Sequence, residues 1–315
     1  MADLHPDRFL ADVLDQPAVL AAPAAALDAV EPLVRRARRV LFLGMGSSRY
    51  AALDAAVLLR SHGVDAHAEL ASTGLPQPPS PDTLVVAISA TGGSAETVAA
   101  MRRHLGTGMV VGVTSRPASA IGQEADVCLT IAADGPSGVA CASYRSTVAL
   151  LRRVCGLVLG DAPSLAGAAA ASAAVIATRE AWLPRAVELL AGGPIHVLGP
   201  AERIGSAEQS ALMLREVARV PAHACETGDW SHVDVYLTKR PGYRALLLPG
   251  SAYEAEVMEW AAQRSFPVVV AGGSLAGAAL AIDLAGTADP GVRPLIETQV
   301  AELVAAALWE RDPIG

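Results

Sequence analysis

Hydroxyl side chains and glycines are concentrated in one short stretch, which contains Ser89, Thr91, Gly92 and Ser94. The stretch follows an apolar run typical of a buried strand and precedes apolar residues at helical spacing. Free backbone N–H groups and the positive end of the helix dipole attract anions to such a helix start. No Lys is present, which excludes a nucleotide P-loop. We predict a phosphate-binding loop here; the alternative is an ordinary turn with a serine cap.

A candidate general base is Glu216, near the end of a predicted helix. Its neighbours Leu214 and Val217 can face a core, which would leave the carboxylate partly desolvated. A carboxylate in such surroundings can act as a general base near neutral pH. The alternative is a surface glutamate beside Arg215 or Arg219, with no chemical role.

A candidate proton shuttle is His232, in the polar and aromatic segment 226–234. Functional loops have this composition, and histidine exchanges protons near neutral pH. The alternative is a structural histidine bonded to Asp229 or Asp234. With His223, the segment also suggests a metal, but its spacing matches no metal motif. We therefore expect no metal and no cofactor.

Two further motifs suggest chemistry that their surroundings do not favour. Residues 44–48, Gly-Met-Gly-Ser-Ser, resemble part of a dinucleotide fingerprint, but Arg49 occupies the place of the third glycine. Cys141, near a predicted helix start, is a candidate nucleophile. A small residue that lines a pocket or is buried is the interpretation we prefer for Cys141.

Strands and helices are predicted to alternate along the chain, which favours parallel sheets with helices on both faces. The rhythm restarts after a connector at Asp161–Gly167. We predict an α/β fold of two tandem doubly wound, flavodoxin-like domains with α/β/α layers. Residues 1–163 would form the first domain together with N-terminal helices. Residues 164–315 would form the second domain with a C-terminal helix.

The bulk composition excludes several classes of function. The 315 residues carry a net charge of −8 and no basic stripe, which argues against nucleic-acid binding. No apolar run is long enough to span a bilayer, and the N-terminus does not resemble a signal peptide. The four cysteines have no metal-like or framework spacing. We expect a cytoplasmic protein that binds no membrane, and the Ala- and Arg-rich composition suggests a bacterial source.

Three stretches together resemble the sugar-phosphate loops of the sugar isomerase (SIS) domain family. They are Gly46-Ser47-Ser48, the stretch 88–97, and Gly138-Val139-Ala140. The two-copy arrangement, from about Val40 to Trp309, resembles the isomerase half of glucosamine-6-phosphate synthases without their glutaminase domain.

The resemblance implies roles for two groups of residues. Those expected to hold a substrate phosphate are Ser48, Ser89, Thr91, Gly92 and Ser94. Those expected to contact the rest of the substrate are Gly46, Ser47, Val139, Ala140 and Cys141.

The resemblance also implies that Glu216 moves a proton between C1 and C2 of the sugar and that His232 assists ring opening. In relatives this histidine reaches the active site of the neighbouring subunit, which implies a homodimer with a shared active site.

Departures from the synthases narrow the expected activity. They are Ala90 for an amide residue, Met213 for a lysine, Cys141 for a serine and Ser143 for a lysine. The last five residues also lack the lysine that forms a Schiff base in the synthases. We therefore expect a phosphosugar isomerase or an aminosugar-phosphate deaminase/isomerase that does not use glutamine. The alternatives are a fructosamine-phosphate deglycase and a noncatalytic sugar-phosphate-binding regulator.

Overall fold

The computed structural model describes residues 4–23, 25–161 and 164–313. The strands are β1 (Arg39–Gly44), β2 (Asp65–Leu70), β3 (Thr83–Ile88), β4 (Met109–Thr114), β5 (Val127–Thr130), β6 (Ile195–Gly199), β7 (Ala222–Glu226), β8 (Arg244–Leu247), β9 (Val268–Ala271) and β10 (Leu280–Ile282). The helices are α1 (Phe9–Leu14), α2 (Gln16–Ala21), α3 (Glu31–Val34), α4 (Ser47–Ser61), α5 (Ala95–Arg102), α6 (Ala120–Glu124), α7 (Ala142–Leu159), α8 (Ala168–Leu190), α9 (Ile204–Glu216), α10 (Thr227–Trp230), α11 (Glu254–Arg264), α12 (Arg293–Ile296) and α13 (Gln299–Arg311). Short 3₁₀ helices occupy Pro6–Arg8, Ala201–Arg203 and Asp234–Lys239.

The chain folds into two compact units that interleave along the sequence. The N-terminal unit contains the described residues of 19–134 and 140–164. The C-terminal unit contains 4–18, 135–139 and 165–313. These units differ from the predicted segments 1–163 and 164–315, because α1 and the loop 135–139 pack with the second repeat. The predicted boundary falls between residues 163 and 164, and residue 163 lies outside the described residues.

The N-terminal unit is built on a parallel sheet with the strand order β2-β1-β3-β4-β5. Strands β3 and β4 are buried along their whole length, as expected for apolar strands covered on both faces. Helices α4 and α7 pack together, and α5 packs on α6. Right-handed crossovers place these two pairs on opposite faces of the sheet.

The C-terminal unit repeats this architecture. Its parallel sheet has the order β10-β9-β8-β6-β7. Counted from the β7 edge, the strands of this repeat again follow the order second, first, third, fourth, fifth. Helices α8, α9 and α13 cover one face, while α10, the 234–239 turn and α11 pack together on the other. The predicted pair of doubly wound α/β/α domains is confirmed.

The sequence patterns miss several short elements. Strand β7 is short and alternates small and polar residues at the sheet edge, so it lacks the apolar run that marks the inner strands. Helix α10 follows it directly. The C-terminal helix, which the sequence pattern places at 297–309, corresponds to α13 (Gln299–Arg311). The short helix α12 (Arg293–Ile296) before it was not predicted. No helix in the described part of the chain is long and apolar enough to cross a bilayer.

Candidate functional site

The predicted phosphate loops lie at the carboxyl end of the N-terminal sheet, between its two central strands. Strands β1 and β3 are neighbours. Helix α4 leads from β1 to β2 on one side, and α5 leads from β3 to β4 on the other. In open parallel sheets such a reversal of winding leaves a crevice where ligands bind. The structure therefore places two of the three predicted loops, 46–48 and 89–94, after the carboxyl ends of neighbouring strands, where the topology predicts a crevice.

The first loop leaves the N-terminus of α4 open. Gly46 has a φ of +50°, a conformation that favours glycine. Ser47 and Ser48 form the first turn of α4, and no described side chain caps it. Tyr50 donates its N–H to the Gly46 carbonyl at 2.9 Å, which closes the turn. The Ser48 N–H donates to the Met45 carbonyl at 3.1 Å. The other N–H groups at this helix start and the two serine hydroxyls are suited to an anion.

The second loop is held in place by the loop that follows β4. Gly92 has a φ of +64°, and a Cβ atom at this position would lie 1.8 Å from the Ser119 Oγ. The Ala90 carbonyl accepts hydrogen bonds from the Thr114 Oγ1 at 3.1 Å and the Ser115 Oγ at 2.7 Å. Gly92 is therefore required both by its backbone conformation and by the close approach of Ser119.

The hydroxyl groups of the second loop differ in their surroundings. Ser94 caps α5 by accepting the Thr97 N–H at 3.4 Å, and its own hydroxyl donates to Glu96 at 3.0 Å. The serine-cap alternative is thus part of the structure, and it engages Ser94. Hydrogen bonds from the Glu96 backbone N–H and from Ser94 lower the pKa of the Glu96 carboxyl. Ser89 is buried at the end of β3, whereas Thr91 is exposed.

The third predicted loop is divided between the two units. Val139 belongs to the C-terminal unit, and Ala140 and Cys141 belong to the N-terminal unit. In the C-terminal unit, Asp12 on α1 accepts the Ser137 N–H at 2.9 Å. The sequence analysis did not single out Asp12, since nothing local relates it to a loop more than a hundred residues away.

Cys141 occupies the position before α7 and is fully buried. Burial excludes the exposed nucleophile considered from the sequence and agrees with the packing interpretation. At the second residue of α7, the Ser143 N–H donates to the Asp134 carboxylate at 2.8 Å.

Glu216 is the last residue of α9 and is half-buried. The guanidinium of Arg215 donates to the Ala222 carbonyl at 2.6 Å, so it is held by the start of β7. Arg219 has a φ of +56°, which reverses the chain after the helix. The structure thus places the carboxylate at a helix C-terminus, next to a tight turn.

His232 lies in an exposed position two residues after α10. The segment is anchored by Trp230, which is fully buried and donates its indole N–H to the Tyr243 hydroxyl at 2.7 Å. The His232 ring makes no hydrogen bond with any described residue, so the side-chain bonds to Asp229 or Asp234 of the structural alternative are absent from this part of the chain. Its backbone N–H donates to the Asp229 carbonyl at 2.8 Å.

The sheet of the C-terminal unit lies between Glu216 and His232. Helix α9 packs with α13 on one face, and the segment after α10 packs with α11 on the other. The structure therefore does not bring Glu216 and His232 together on one face within the chain.

Comparison with known proteins identifies the scaffold. The SIS domain profile matches residues 33–154, which include the first two loops described above. Residues 33–154 belong to the SIS domain family.

Two curated relatives carry the name glutamine–fructose-6-phosphate aminotransferase [isomerizing]. The chain is 30% identical over 271 residues to a glutamine–fructose-6-phosphate aminotransferase [isomerizing] of Aeropyrum pernix, with 78% of the chain and 44% of that relative covered. The chain spans less than half of the length of the curated relatives it matches.

Solved structures share the fold of both units. The C-terminal domain of glucosamine-fructose-6-phosphate aminotransferase from Francisella tularensis matches with a TM-score of 0.79 at 15% identity, covering 95% of this chain and 96% of that one. Glucosamine-6-phosphate deaminase from Thermotoga maritima matches with a TM-score of 0.73 at 17% identity, covering 98% of this chain and 96% of that one. The tandem SIS architecture inferred from the sequence is confirmed, together with the resemblance to the isomerase half of the synthases.

The second SIS-type unit contains a buried histidine that the sequence analysis did not single out. His196 on β6 is 2% exposed. Its ring stacks on Tyr243, with centroids 4.1 Å apart. Burial lowers the pKa of His196 to about 4, although Asp234, with 3.9 Å between the Nδ1 and Oδ2 atoms, acts in the opposite direction. Among the described residues, no group of three or more His, Cys, Asp or Glu side chains is arranged to hold a metal ion.

The buried His196 predicts a pH-dependent stability. The unfolded chain binds a proton at this histidine below about pH 6.5, whereas the folded chain does so only near pH 4. Stability should therefore fall as the pH drops from 6.5 to 4, by about 2–3 kcal/mol from this residue. The measurement is urea unfolding at several pH values for the wild type and His196→Asn, because the difference isolates this histidine.

The matched control for this prediction is His67→Asn, which removes an exposed histidine paired with Asp65. It should leave the pH dependence of unfolding close to that of the wild type. Equal pH slopes for the wild type and His196→Asn would contradict the prediction.

Proposed function

We propose that this SIS domain protein is a phosphosugar isomerase or an aminosugar-phosphate deaminase/isomerase. The single observation that carries the proposal is the pair of loops at the crevice between β1 and β3, where α4 begins without a side-chain cap. Proteins that share this fold are named after phosphate esters on which they act, and glucosamine-6-phosphate deaminase is one of them.

The phosphate would be held by hydroxyls and backbone donors. The open first turn of α4 supplies N–H groups and Ser48, and the second loop supplies Ser89 and Thr91. Ser94 would exchange its bond to Glu96 for a bond to the phosphate, because the two anions compete for one hydroxyl. Gly46, Ser47, Val139, Ala140 and Cys141 would line the rest of the substrate.

Glu216 would perform the proton transfer. Its carboxylate would remove the proton from the carbon next to the carbonyl or imine, giving an enediol or enolamine. The carboxyl, whose proton can exchange with solvent, would then deliver a proton to the neighbouring carbon while the hydroxyl proton of the intermediate is lost from its oxygen. An aldose thereby becomes a ketose; a 2-amino aldose becomes a 2-imine, which water hydrolyses to the ketose and ammonia. The carboxylate lies at the C-terminus of α9 and is half-buried.

His232 would assist ring opening in a second copy of the chain. Its ring is exposed, makes no hydrogen bond with a described residue, and lies across the sheet from the helix that ends at Glu216. These observations support a homodimer in which Glu216 of one copy works with His232 of the other.

The test combines binding with isotope exchange. Sugar phosphates and aminosugar phosphates are screened by thermal shift, and ligands that stabilise the chain are incubated with it in D₂O. We expect deuterium to appear at C2, with ammonia released only if the enzyme is a deaminase. Binding without exchange would reduce the protein to a sugar-phosphate sensor, and no binding at all would refute the phosphate-binding loops.

Complementation tests the shared site. Glu216→Gln and His232→Asn chains should each be inactive alone. When they are co-expressed, half of the dimers are mixed and each mixed dimer has one intact pair, so about a quarter of the wild-type activity should return. The measurement is the exchange rate per chain in the purified mixture, compared with each variant alone.

An active His232→Asn protein would contradict a role for His232. A mixture that stays inactive, although the two chains are shown to form mixed dimers, would contradict sharing between copies.

A further inference from the structure

We infer that the C-terminal unit has a second anion-binding site, in a cavity lined by Arg240, Arg244 and Arg264, which takes a small multiply charged phosphate compound. The site goes beyond the proposed function, since none of its residues belongs to the phosphate loops or to the proposed catalytic pair.

The cavity lies at the amino ends of β8 and β9, within the C-terminal unit. Its volume is about 490 Å³, which is in the range of small-molecule sites. Arg244 is the first residue of β8, and Arg264 is the last residue of α11, just before β9. The chain therefore brings together arginines that are 20 residues apart in sequence, at the point where two parallel strands begin.

The three guanidinium groups are only partly neutralised. Arg240 is exposed, and its side chain makes no ion pair with a described residue. The Arg244 Nε atom is buried without a hydrogen-bond partner. The acidic side chain in the lining, Glu188, is already paired with Arg185 at 2.6 Å. In a chain with a net charge of −8, this cavity is a local concentration of positive charge.

Guanidinium groups select the kind of anion. Each presents a planar fork that matches a phosphate or carboxylate in two hydrogen bonds. Three of them around one cavity suit two neighbouring phosphoryl groups better than a single monoanion. The limited volume and the small number of cations favour a small molecule over a nucleic acid, which needs an extended basic surface.

Arg264 links the cavity to the segment that carries His232. Its guanidinium donates to the Val235 carbonyl at 2.6 Å and also to the Thr238 Oγ1. It also lies over the Trp260 ring, 4.0 Å from the centroid. An anion in the cavity competes for this guanidinium, so binding should loosen the hold of Arg264 on residues 235–238. The site would thereby adjust the segment in which His232 lies.

Calorimetry with inorganic pyrophosphate tests the site on the full chain, in a phosphate-free buffer of low ionic strength. Wild type should bind pyrophosphate, and Arg240→Glu should weaken that binding by about tenfold or more. Arg311→Glu is the matched control, because it makes the same charge change at an exposed arginine elsewhere in the unit. Ser48→Ala, in the first phosphate loop, should leave this binding event in place.

Fluorescence provides a second readout. Pyrophosphate should change the tryptophan emission of the wild type through Trp260, and Trp260→Phe should lose that change while it still binds by calorimetry. No heat of binding with millimolar pyrophosphate would overturn the proposal. Equal weakening by Arg240→Glu and Arg311→Glu would also overturn it, as would loss of the binding event in Ser48→Ala. These results do not depend on whether a sugar phosphate is turned over.

Discussion

Glu216→Gln should abolish proton exchange at C2 of the sugar phosphate while leaving its binding intact. The substitution keeps the size of the side chain at the end of α9 and removes its ability to accept a proton. A positioned general base contributes about 10²–10⁴ to a rate, so the exchange rate should fall by about that factor. The measurements are the NMR exchange rate in D₂O and the ligand-induced thermal shift.

Glu259→Gln provides the control for this substitution, since Glu259 is an exposed glutamate on α11. It should exchange at the wild-type rate. A Glu216→Gln protein that exchanges at the wild-type rate would show that another group is the base.

Gly92→Ala should be the most damaging single methyl addition in the phosphate loops. The new Cβ would overlap the Ser119 Oγ at 1.8 Å and the Ser119 Cβ at 2.4 Å, and the φ of +64° disfavours any side chain. We expect a loss of about 2–4 kcal/mol in the free energy of unfolding. The sugar-phosphate thermal shift should be reduced as well, because the loop must move away from Ser119. Urea unfolding and thermal shift measure the two effects.

Gly93→Ala is the adjacent control. A Cβ at Gly93 meets nothing closer than 4.0 Å, and its φ is not positive. This variant should be close to wild type in stability. The double variant Gly92→Ala, Ser119→Gly removes both Ser119 contacts and should recover part of the loss. The remainder comes from the positive φ, from the Thr114 Oγ1 at 2.8 Å and from the lost Ser119 cap of α6. Equal effects of the two single alanine variants would contradict the steric argument.

The fold was predictable because its signals are local. Strands β3 and β4 are continuous apolar runs, buried on both faces, and such runs between helices predict a parallel sheet. The run Met-Val-Val-Gly-Val-Thr at 109–114 coincides with β4. The serine cap at α5 was also visible in the sequence as an alternative, and the structure contains it.

The remaining features depend on contacts between distant parts of the chain. The hydrogen bond from the Ser137 N–H to the Asp12 carboxylate joins residues that are 125 positions apart. The approach of Ser119 to Gly92 depends on how the β4–α6 loop lies against the second loop. The stacking of His196 on Tyr243 joins β6 to the residue before β8. A single sequence contains no local pattern for these contacts, so the candidate residues were predictable but their surroundings were not.

The placement of α1 determines where the gene can be divided. Phe9 and Val13 on α1 are fully buried, and α1 packs against α13 at the other end of the sequence. A recombinant fragment of residues 164–313 would expose the apolar surface of α13 that α1 covers, and it would lack the loop held by Asp12. The two repeats are similar in topology, but the second repeat needs residues from the first part of the sequence to complete its core. A shortened or circularly permuted protein that keeps residues 4–18 next to α13 is the better design for expression of the second repeat.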